Sequence, residues 1–319
     1  MSAETKQNNS FFSFETLIVS ALFFIPVLSP AFFGWLHGLL AVPVVYMLLS
    51  HGMKSGTIHL GICLTVAGVI ALAVNRAEIM AFSLTMIPLG YTLAHSASTR
   101  EQPSLSGGKG FAVLAASWFV FWLFFAMLTE INPYTQLIQS INTGLQEAGE
   151  LYSAQDSGLS EETRYSLKLL LEETRKGIPS FLPGILASIV LVTVWLNMLI
   201  SNRLVERLLR INAPWGPYGS WKLPEHLVWL PIAAVMLILT GSGQVEHAGT
   251  WLFMLSAVAY LFQGLAVCLS LLHRWHVPRY LRAVIFFVLA VQSYGLVLLA
   301  LLGLSDVWID FRHRKKEVT

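Results

Sequence analysis

The chain has 319 residues, of which 55% are hydrophobic and only 12% charged, and its formal net charge is +2. An average soluble domain carries roughly 25% charged residues, so this composition excludes a surface that faces water throughout. The near-balance of charge also supplies no basic face for nucleic acid.

The apolar residues come in long blocks. The first ten residues hold one lysine, Lys6, and no small-residue cleavage site ends the first block, so a retained first span is expected rather than a cleaved signal. A span needs about 20 apolar residues, each adding about 1.5 Å against a hydrocarbon core about 30 Å thick. That measure predicts spans over residues 14–30, 33–50, 57–74, 80–96, 111–129, 181–202, 227–243, 251–272 and 283–303. The runs are too long and too continuously apolar for barrel strands, which alternate over about 10 residues. The expected fold class is an all-α, polytopic transmembrane helical bundle of nine spans, or eight if the short first two form one hairpin around Pro30.

Lys and Arg in short loops set the orientation. With the N-terminus cytoplasmic, the inside loops carry Lys54, Arg100, Lys109, Arg203, Arg207, Arg210, Lys222, Arg274, Arg279 and Arg282. Outside, between spans, are Arg76 and the bases of one long loop, which the rule discounts. The expected location is a bacterial cytoplasmic (inner) membrane. Nine spans would leave Arg312, Arg314, Lys315 and Lys316 outside, so either a late span does not cross or the tail breaks the rule. The chain divides into residues 1–129 with five spans, an extracytoplasmic loop over 130–180, and residues 181–319 with four spans and a cytoplasmic basic-aromatic loop at 203–226.

The 130–180 loop holds eight acids and four bases. Asn132 followed by Pro133 predicts a helix start, and Leu137, Ile138, Ile141, Leu145, Ala148 and Tyr152 give it one apolar face. A second helix is expected to begin after Ser160, with Glu161 and Glu162 at the positive end of its dipole. It is expected to stop at Gly177, before Pro179. Two amphipathic helices over the outer mouth of the bundle are the reading.

Candidate sites are sparse. Asn75, Arg76 and Glu78 crowd the turn between the third and fourth spans, and ionisable groups at membrane depth often mark a pathway. A solvated turn is the plainer alternative. Within spans stand His37, His59, Tyr91, His95, Gln263, Gln292 and Tyr294, for which interhelical hydrogen bonding is the competing account. Gln263 stands out because Gly264 beside it permits close backbone approach. Asn75, Arg76, Glu78, Tyr91, His95, Gln263 and Gln292 are therefore the candidate ligand or pathway residues.

The segment from Pro214 to Pro224 carries Trp215, Trp221 and Tyr218 among turn residues, after the basic stretch with Arg203 and Arg207. It reads as an interfacial anchor or as a docking surface for a cytoplasmic partner. His273 and His276 have i, i+3 spacing without a carboxylate or cysteine in the same segment, so no metal site is assigned. Cys63 and Cys268 lie inside apolar blocks and read as small buried hydrophobes. There is no Gly-x-Ser-x-Gly, phosphate-binding loop, His-Glu-x-x-His or Cys-x-x-Cys, and every Asp and Glu falls in a loop or tail. No catalytic residue and no cofactor are assigned.

Towards the C-terminus, the run from Tyr260 through Gln263-Gly264 to Ala266, the basic break at Val277-Pro278-Arg279, and the run from Gly303 through Asp306, Trp308 and Asp310 to Arg312 resemble the bacterial membrane family called domain of unknown function 2232. Trp221-Lys222-Leu223-Pro224 is similar to that family's pattern before its late spans. The resemblance runs over nearly the whole chain and brings no catalytic or binding residues with it. By span pattern alone, residues 1–202 also resemble the substrate-binding (S) subunits of energy-coupling-factor vitamin transporters, which have six helices and both ends cytoplasmic. Asp306 and Asp310 are spaced i, i+4 on one helix face, with Arg312 pointing elsewhere. They read as a solvated helix end or as a polar knob for a partner protein.

Two functions lead. One is a transport-related subunit that binds a small solute on the outer side and docks to cytoplasmic energising or coupling subunits. The other is a non-catalytic membrane scaffold or regulator that binds a protein partner. A lipid- or polyprenol-modifying enzyme comes third, to be revived by carboxylates or histidines converging near one interface.

Overall fold

The computed structural model describes residues 14–153, 160–241 and 243–312, and these are predominantly helical, with no strand among them. Lys6 and the tail bases Arg314, Lys315 and Lys316 lie outside the described residues. In chain order the helices are α1 (Phe14–Leu28), α2 (Pro30–Phe33), α3 (Ala41–His51), α4 (Met53–Ala73), α5 (Ala77–Leu84), α6 (Met86–Ser98), α7 (Pro103–Thr129), α8 (Pro133–Ser153), α9 (Glu161–Leu208), α10 (Trp229–Leu239), α11 (Gly243–Arg274), α12 (Arg279–Val291) and α13 (Ser293–Ile309).

Five stretches are long and apolar enough to cross a membrane: α4, α5 with α6, α7, α9 and α11. Two further pairs are sharply bent, the first by 112° between Glu15–Leu28 and Pro30–Leu39, the second by 107° between Arg279–Val291 and Tyr294–Ile309, giving up to seven spans if each pair counts once. The expected spans 14–30 and 33–50 become the first bent pair, with a 3-10 turn at Gly34–Leu39, and the separate short helix α3. Pro30 starts α2 after the break and cannot donate a backbone N–H to continue α1. The expected span 227–243 shrinks to α10 with a preceding 3-10 turn, Glu225–Leu239. The expected span 283–303 is interrupted where Gln292 turns to extended backbone, φ −88° and ψ 120°.

The chain contacts form two interleaved units, one from the described parts of Met1–Trp118 and Val192–Lys222, the other from those of Phe119–Leu191 and Leu223–Thr319. In unit 1, α3 packs on α4 and α6, and α1 packs on α4. Its interior is built from fully buried Phe23, Val44, Leu48, Leu89, Leu114 and Val194. Cys63 is buried there as a free thiol. Gly90 sits where a Cβ would strike Val44, so α3 and α6 meet at a glycine.

In unit 2, α11 crosses α13 more closely still. A Cβ on Gly264 would overlap the Leu299 carbonyl, and one on Gly303 would overlap the Tyr260 carbonyl. Only hydrogen fits on either side of that crossing. The close approach foreseen at Gly264 is thus made, with Gly303 as its counterpart.

The two amphipathic helices begin as their sequence predicts. Asn132 Oδ1 accepts the N–H groups of Tyr134 and Thr135 at 3.0 and 3.3 Å, and Ser160 Oγ accepts that of Thr163 at 3.2 Å. Ile138, Ile141, Leu145 and Ala148 are half-buried, whereas Leu137 and Tyr152 are exposed. The expected stop at Gly177 does not occur, and α9 runs unbroken for 48 residues through Pro179 and Pro183. The missing N–H of Pro183 leaves the Pro179 carbonyl without its helical donor. The Tyr134 hydroxyl donates to that carbonyl at 3.3 Å, and the Trp251 indole N–H donates to the Ser180 carbonyl. The Tyr134 bond stands in for the missing ladder bond, and the Trp251 bond ties the same turn to α11.

Candidate functional site

In unit 1 a polar face of α9 meets the broken first span. Thr193, Asn197 and Ser201 recur every four residues and so stack on one side of the helix. They are 8%, 0% and 1% exposed. The Asn197 amide donates to the Gly38 carbonyl and, at 2.8 Å, to the Thr193 carbonyl. Gly38 belongs to the 3-10 turn, where irregular backbone in an apolar segment requires such a donor.

His37 stands in the same turn, with Nδ1 2.8 Å from the Gly34 carbonyl and Nε2 buried without a partner among the described residues. Its ring centroid lies 5.5 Å from that of Phe82, which is 6.0 Å from that of Trp118. The Trp118 indole nitrogen, Asn197 Oδ1 and Ser201 Oγ are also buried without hydrogen-bond partners among the described residues. Each unmet buried polar group costs about 1–3 kcal/mol. The string from Ser201 to Trp118 therefore holds two ring nitrogens, an amide oxygen and a hydroxyl whose bonding capacity is unused.

One residue further along α9 the polar groups are matched. Asn202 Oδ1 accepts the Trp215 backbone N–H at 3.0 Å, and Asn202 Nδ2 donates to the Gly216 carbonyl at 2.7 Å. The Trp215 indole donates to Ser106 Oγ at 3.0 Å, and the Trp221 indole donates to the Trp215 carbonyl at 2.9 Å. Trp215 and Trp221 are only 4% and 8% exposed. The indoles foreseen as interfacial anchors or docking groups are thus turned inward, where both indole N–H groups find acceptors within the unit. Arg203 and Arg207 are exposed.

Unit 2 holds an ion pair at the end of α13. Asp306 has no exposed side-chain surface, and its Oδ2 lies 3.1 Å from Arg312 Nη2, whose side chain is 6% exposed. Gln263 Nε2 donates to the same oxygen at 3.2 Å, and the Phe311 N–H donates to Oδ1 at 3.2 Å. Gln263 Oε1 accepts the Leu223 N–H at 3.0 Å. The face sharing expected of Asp306 and Asp310 is corrected here: the helix ends at Ile309, and Asp310 adopts the left-handed conformation at φ 43°. That turn sends the chain back over the helix end and brings Arg312 onto Asp306. Asp306 is accordingly an interior residue.

Of the other pathway candidates, Asn75, Arg76, Glu78, Tyr91, His95 and Gln292 are all exposed. Asn75 takes the left-handed position that closes α4, with Arg76 N–H bonded to the Ala71 carbonyl at 2.9 Å. A titratable cluster not foreseen joins the start of α1 to the junction of α3 and α4. The Tyr46 hydroxyl donates to Glu15 at 3.1 Å, His51 Nε2 lies 3.7 Å from Glu15, and the His51 and His59 rings stack at 4.6 Å. Ser50 Oγ lies 2.8 Å from His51 Nδ1 and 3.2 Å from the Met47 carbonyl, within reach of a helix back-bond.

The string in unit 1 escaped the sequence reading apart from His37. Its signal was the four-residue polar spacing of Thr193, Asn197 and Ser201 inside an otherwise apolar run. Neither a curated protein nor a solved structure matches the chain. One family model does, over residues 17–307, with the late motifs around Gln263-Gly264 and Asp306 inside the match. The chain therefore belongs to the family described as Predicted membrane protein (DUF2232).

Proposed function

We propose that the protein is a non-enzymatic, transport-related membrane subunit that holds a small polar solute in unit 1, between the 3-10 turn Gly34–Leu39 and the polar face of α9. The observation that carries this reading is the string of buried, unmatched polar atoms: His37 Nε2, Trp118 Nε1, Asn197 Oδ1 and Ser201 Oγ. A solute with both donors and acceptors would satisfy them. The neighbouring bend of 112° is the natural moving part, since broken spans line binding sites in membrane proteins. The four atoms are sealed from solvent, so the described state is the closed one, and entry requires α1 and α2 to shift.

In this reading the protein lies in a cytoplasmic membrane with its N-terminus inside and residues 130–180 outside. The likeness of residues 1–202 to S subunits belongs to the same reading, with Arg203 and Arg207 facing cytoplasmic energising or coupling subunits. Counting the short apolar helices α3 and α10 as crossings beside the bent pairs gives nine spans. A scaffold is the second reading, favoured by Gln263, Asn202 and Ser106, whose polar groups are spent on internal bonds.

The test is purification of the full chain in mild detergent with mass spectrometry of retained small molecules and proteins. Retention of a polar solute by the wild type and its loss in His37→Phe/Asn197→Leu supports the solute site. Identical small-molecule content in both, with a protein partner retained by both, supports the scaffold instead.

A further inference from the structure

The four bases of the 130–180 segment are gathered on one helix. Arg164, Lys168 and Arg175 are spaced four and seven residues apart on α9 and share a face, with Lys176 at its edge. That face looks onto α8. Where the helices touch, Gly149 lies against Leu171. Two adjoining grooves flank the contact. One, of about 260 Å³, is lined by Leu145, Gln146, Glu150, Lys168, Glu172 and Arg175 beside that contact. The other, of about 420 Å³, is lined by Asn142, Glu172, Arg175 and Lys176. Among the described residues, no carboxylate forms an ion pair with Lys168, Arg175 or Lys176. In the same helix pair, Arg164 Nε and Asn142 Oδ1 are buried without partners among the described residues.

This is independent of the solute reading, because the segment is as a whole acidic, yet its bases converge on grooves where they outnumber the two acids, Glu150 and Glu172, and pair with neither. The level of the second groove matters. The apolar run of α9 begins at Phe181, six residues after Arg175, which is about 9 Å along a helix. Headgroup layers add about 5–8 Å to each side of the hydrocarbon core. Arg175 and Lys176 thus stand at the outer edge of the headgroup layer, from which their long side chains reach lipid phosphates, whereas Lys168 stands about 20 Å out on the same measure. Guanidinium and ammonium groups side by side are suited to a phosphate, one through a planar fork and the other as a point charge.

We propose that the groove formed by Asn142, Glu172, Arg175 and Lys176 is a phosphate-group site, filled in the membrane by an anionic phospholipid headgroup. Arg175 and Lys176 hold the phosphate oxygens, and Lys168 extends the positive field outward.

The experiment is native mass spectrometry of the full chain in detergent, titrated with phosphatidylglycerol and separately with phosphatidylcholine, alongside calorimetric titration with inorganic phosphate. The comparison is with Arg175→Gln/Lys176→Gln, and with Arg203→Gln/Arg207→Gln as a control elsewhere on the chain. Circular dichroism checks that each variant keeps its helices. Each cation removed near a lipid surface weakens anionic binding about 5-fold, so the first double variant is expected to bind phosphatidylglycerol about 25-fold more weakly. The control is expected to be unchanged. Binding of inorganic phosphate with the same loss supports the site and makes a free phosphate compound its source. Equal binding of both lipids, or an equal loss in the control and in the Arg175/Lys176 variant, overturns the proposal.

Discussion

Replacing Arg312 by methionine tests whether the buried pair in unit 2 holds the end of α13. The two charges lie 3.1 Å apart, with side chains 6% and 0% exposed. At an effective dielectric of about 20 their attraction is roughly 5 kcal/mol, most of it offset by the desolvation of both groups. The measurable quantity is the cost of leaving Asp306 buried without its counter-charge, about 3–5 kcal/mol for such a truncation. Asp306 keeps donors from Gln263 and the Phe311 N–H, which places the expected loss near the lower end, about 3 kcal/mol. Asp306→Asn/Arg312→Met removes both charges and keeps a polar acceptor for Gln263. It is expected to cost much less than the sum of its single changes. The assay is equilibrium unfolding in mixed micelles followed by circular dichroism, run as a double-mutant cycle at low and high salt. A buried pair changes little with salt, unlike an exposed one. A loss below about 1 kcal/mol for Arg312→Met, or strict additivity across the cycle, would refute the argument.

Three further outcomes are expected. Gly264→Ala and Gly303→Ala each force backbone apart at the α11–α13 crossing, and by the same unfolding assay each should cost about 3 kcal/mol, the upper end of the overpacking range; a loss under about 0.5 kcal/mol in both would mean the helices do not cross there. His276 closes α11 at φ 55°, so His276→Gly should stabilise the protein by about 1 kcal/mol, and destabilisation would contradict that backbone. Glu101, between α6 and α7, has its carboxyl held below the usual range by the hydrogen bond from Lys109 and then by that from Ser96. Its stabilising contribution is therefore full above the unfolded carboxylate value of about 4.3 and is lost as pH falls through the lower folded value. Acid unfolding of Glu101→Gln should lack that portion of the pH dependence, and superimposable acid limbs would count against it.

The helix starts at Asn132 and Ser160 were legible because a cap is local: one side chain and the next three N–H groups decide it. The close approach at Gly264 was legible for a similar reason. Span continuity was not. A hydropathy window registers apolar residues and is blind to the extended backbone at Gln292, so one run of 21 residues was read where two helices meet at 107°. The opposite holds at Gly177, where Pro179 predicts a helix end but the helix runs on, with Tyr134 supplying from elsewhere in unit 2 the donor that Pro183 lacks. Arg312 was misplaced because a helical projection assumes the helix goes on, and the left-handed Asp310 reverses the chain. Asn197 is undistinguished as a single polar residue, since its signal lies in the four-residue spacing from Thr193 to Ser201.

The two polar interiors differ in a way that stability measurements can separate. In unit 2 both Asp306 oxygens and both ends of the Gln263 amide are matched, so removing Gln263 leaves Asp306 and the Leu223 N–H each short of a partner. Gln263→Leu should then lower stability by about 2 kcal/mol or more. In unit 1, Ser201 Oγ is buried and unmatched, and Ser201→Ala removes an unmet group while leaving a cavity smaller than one methyl. Stability without solute should be unchanged or rise by about 1 kcal/mol. A stable closed state that improves when a polar group is deleted is what a site kept for a guest looks like, since groups retained for binding commonly cost stability. If the polar string were instead structural, Ser201→Ala would destabilise as Gln263→Leu does. Parallel unfolding curves of the two variants therefore decide between a held solute and a packed scaffold before any solute has been identified.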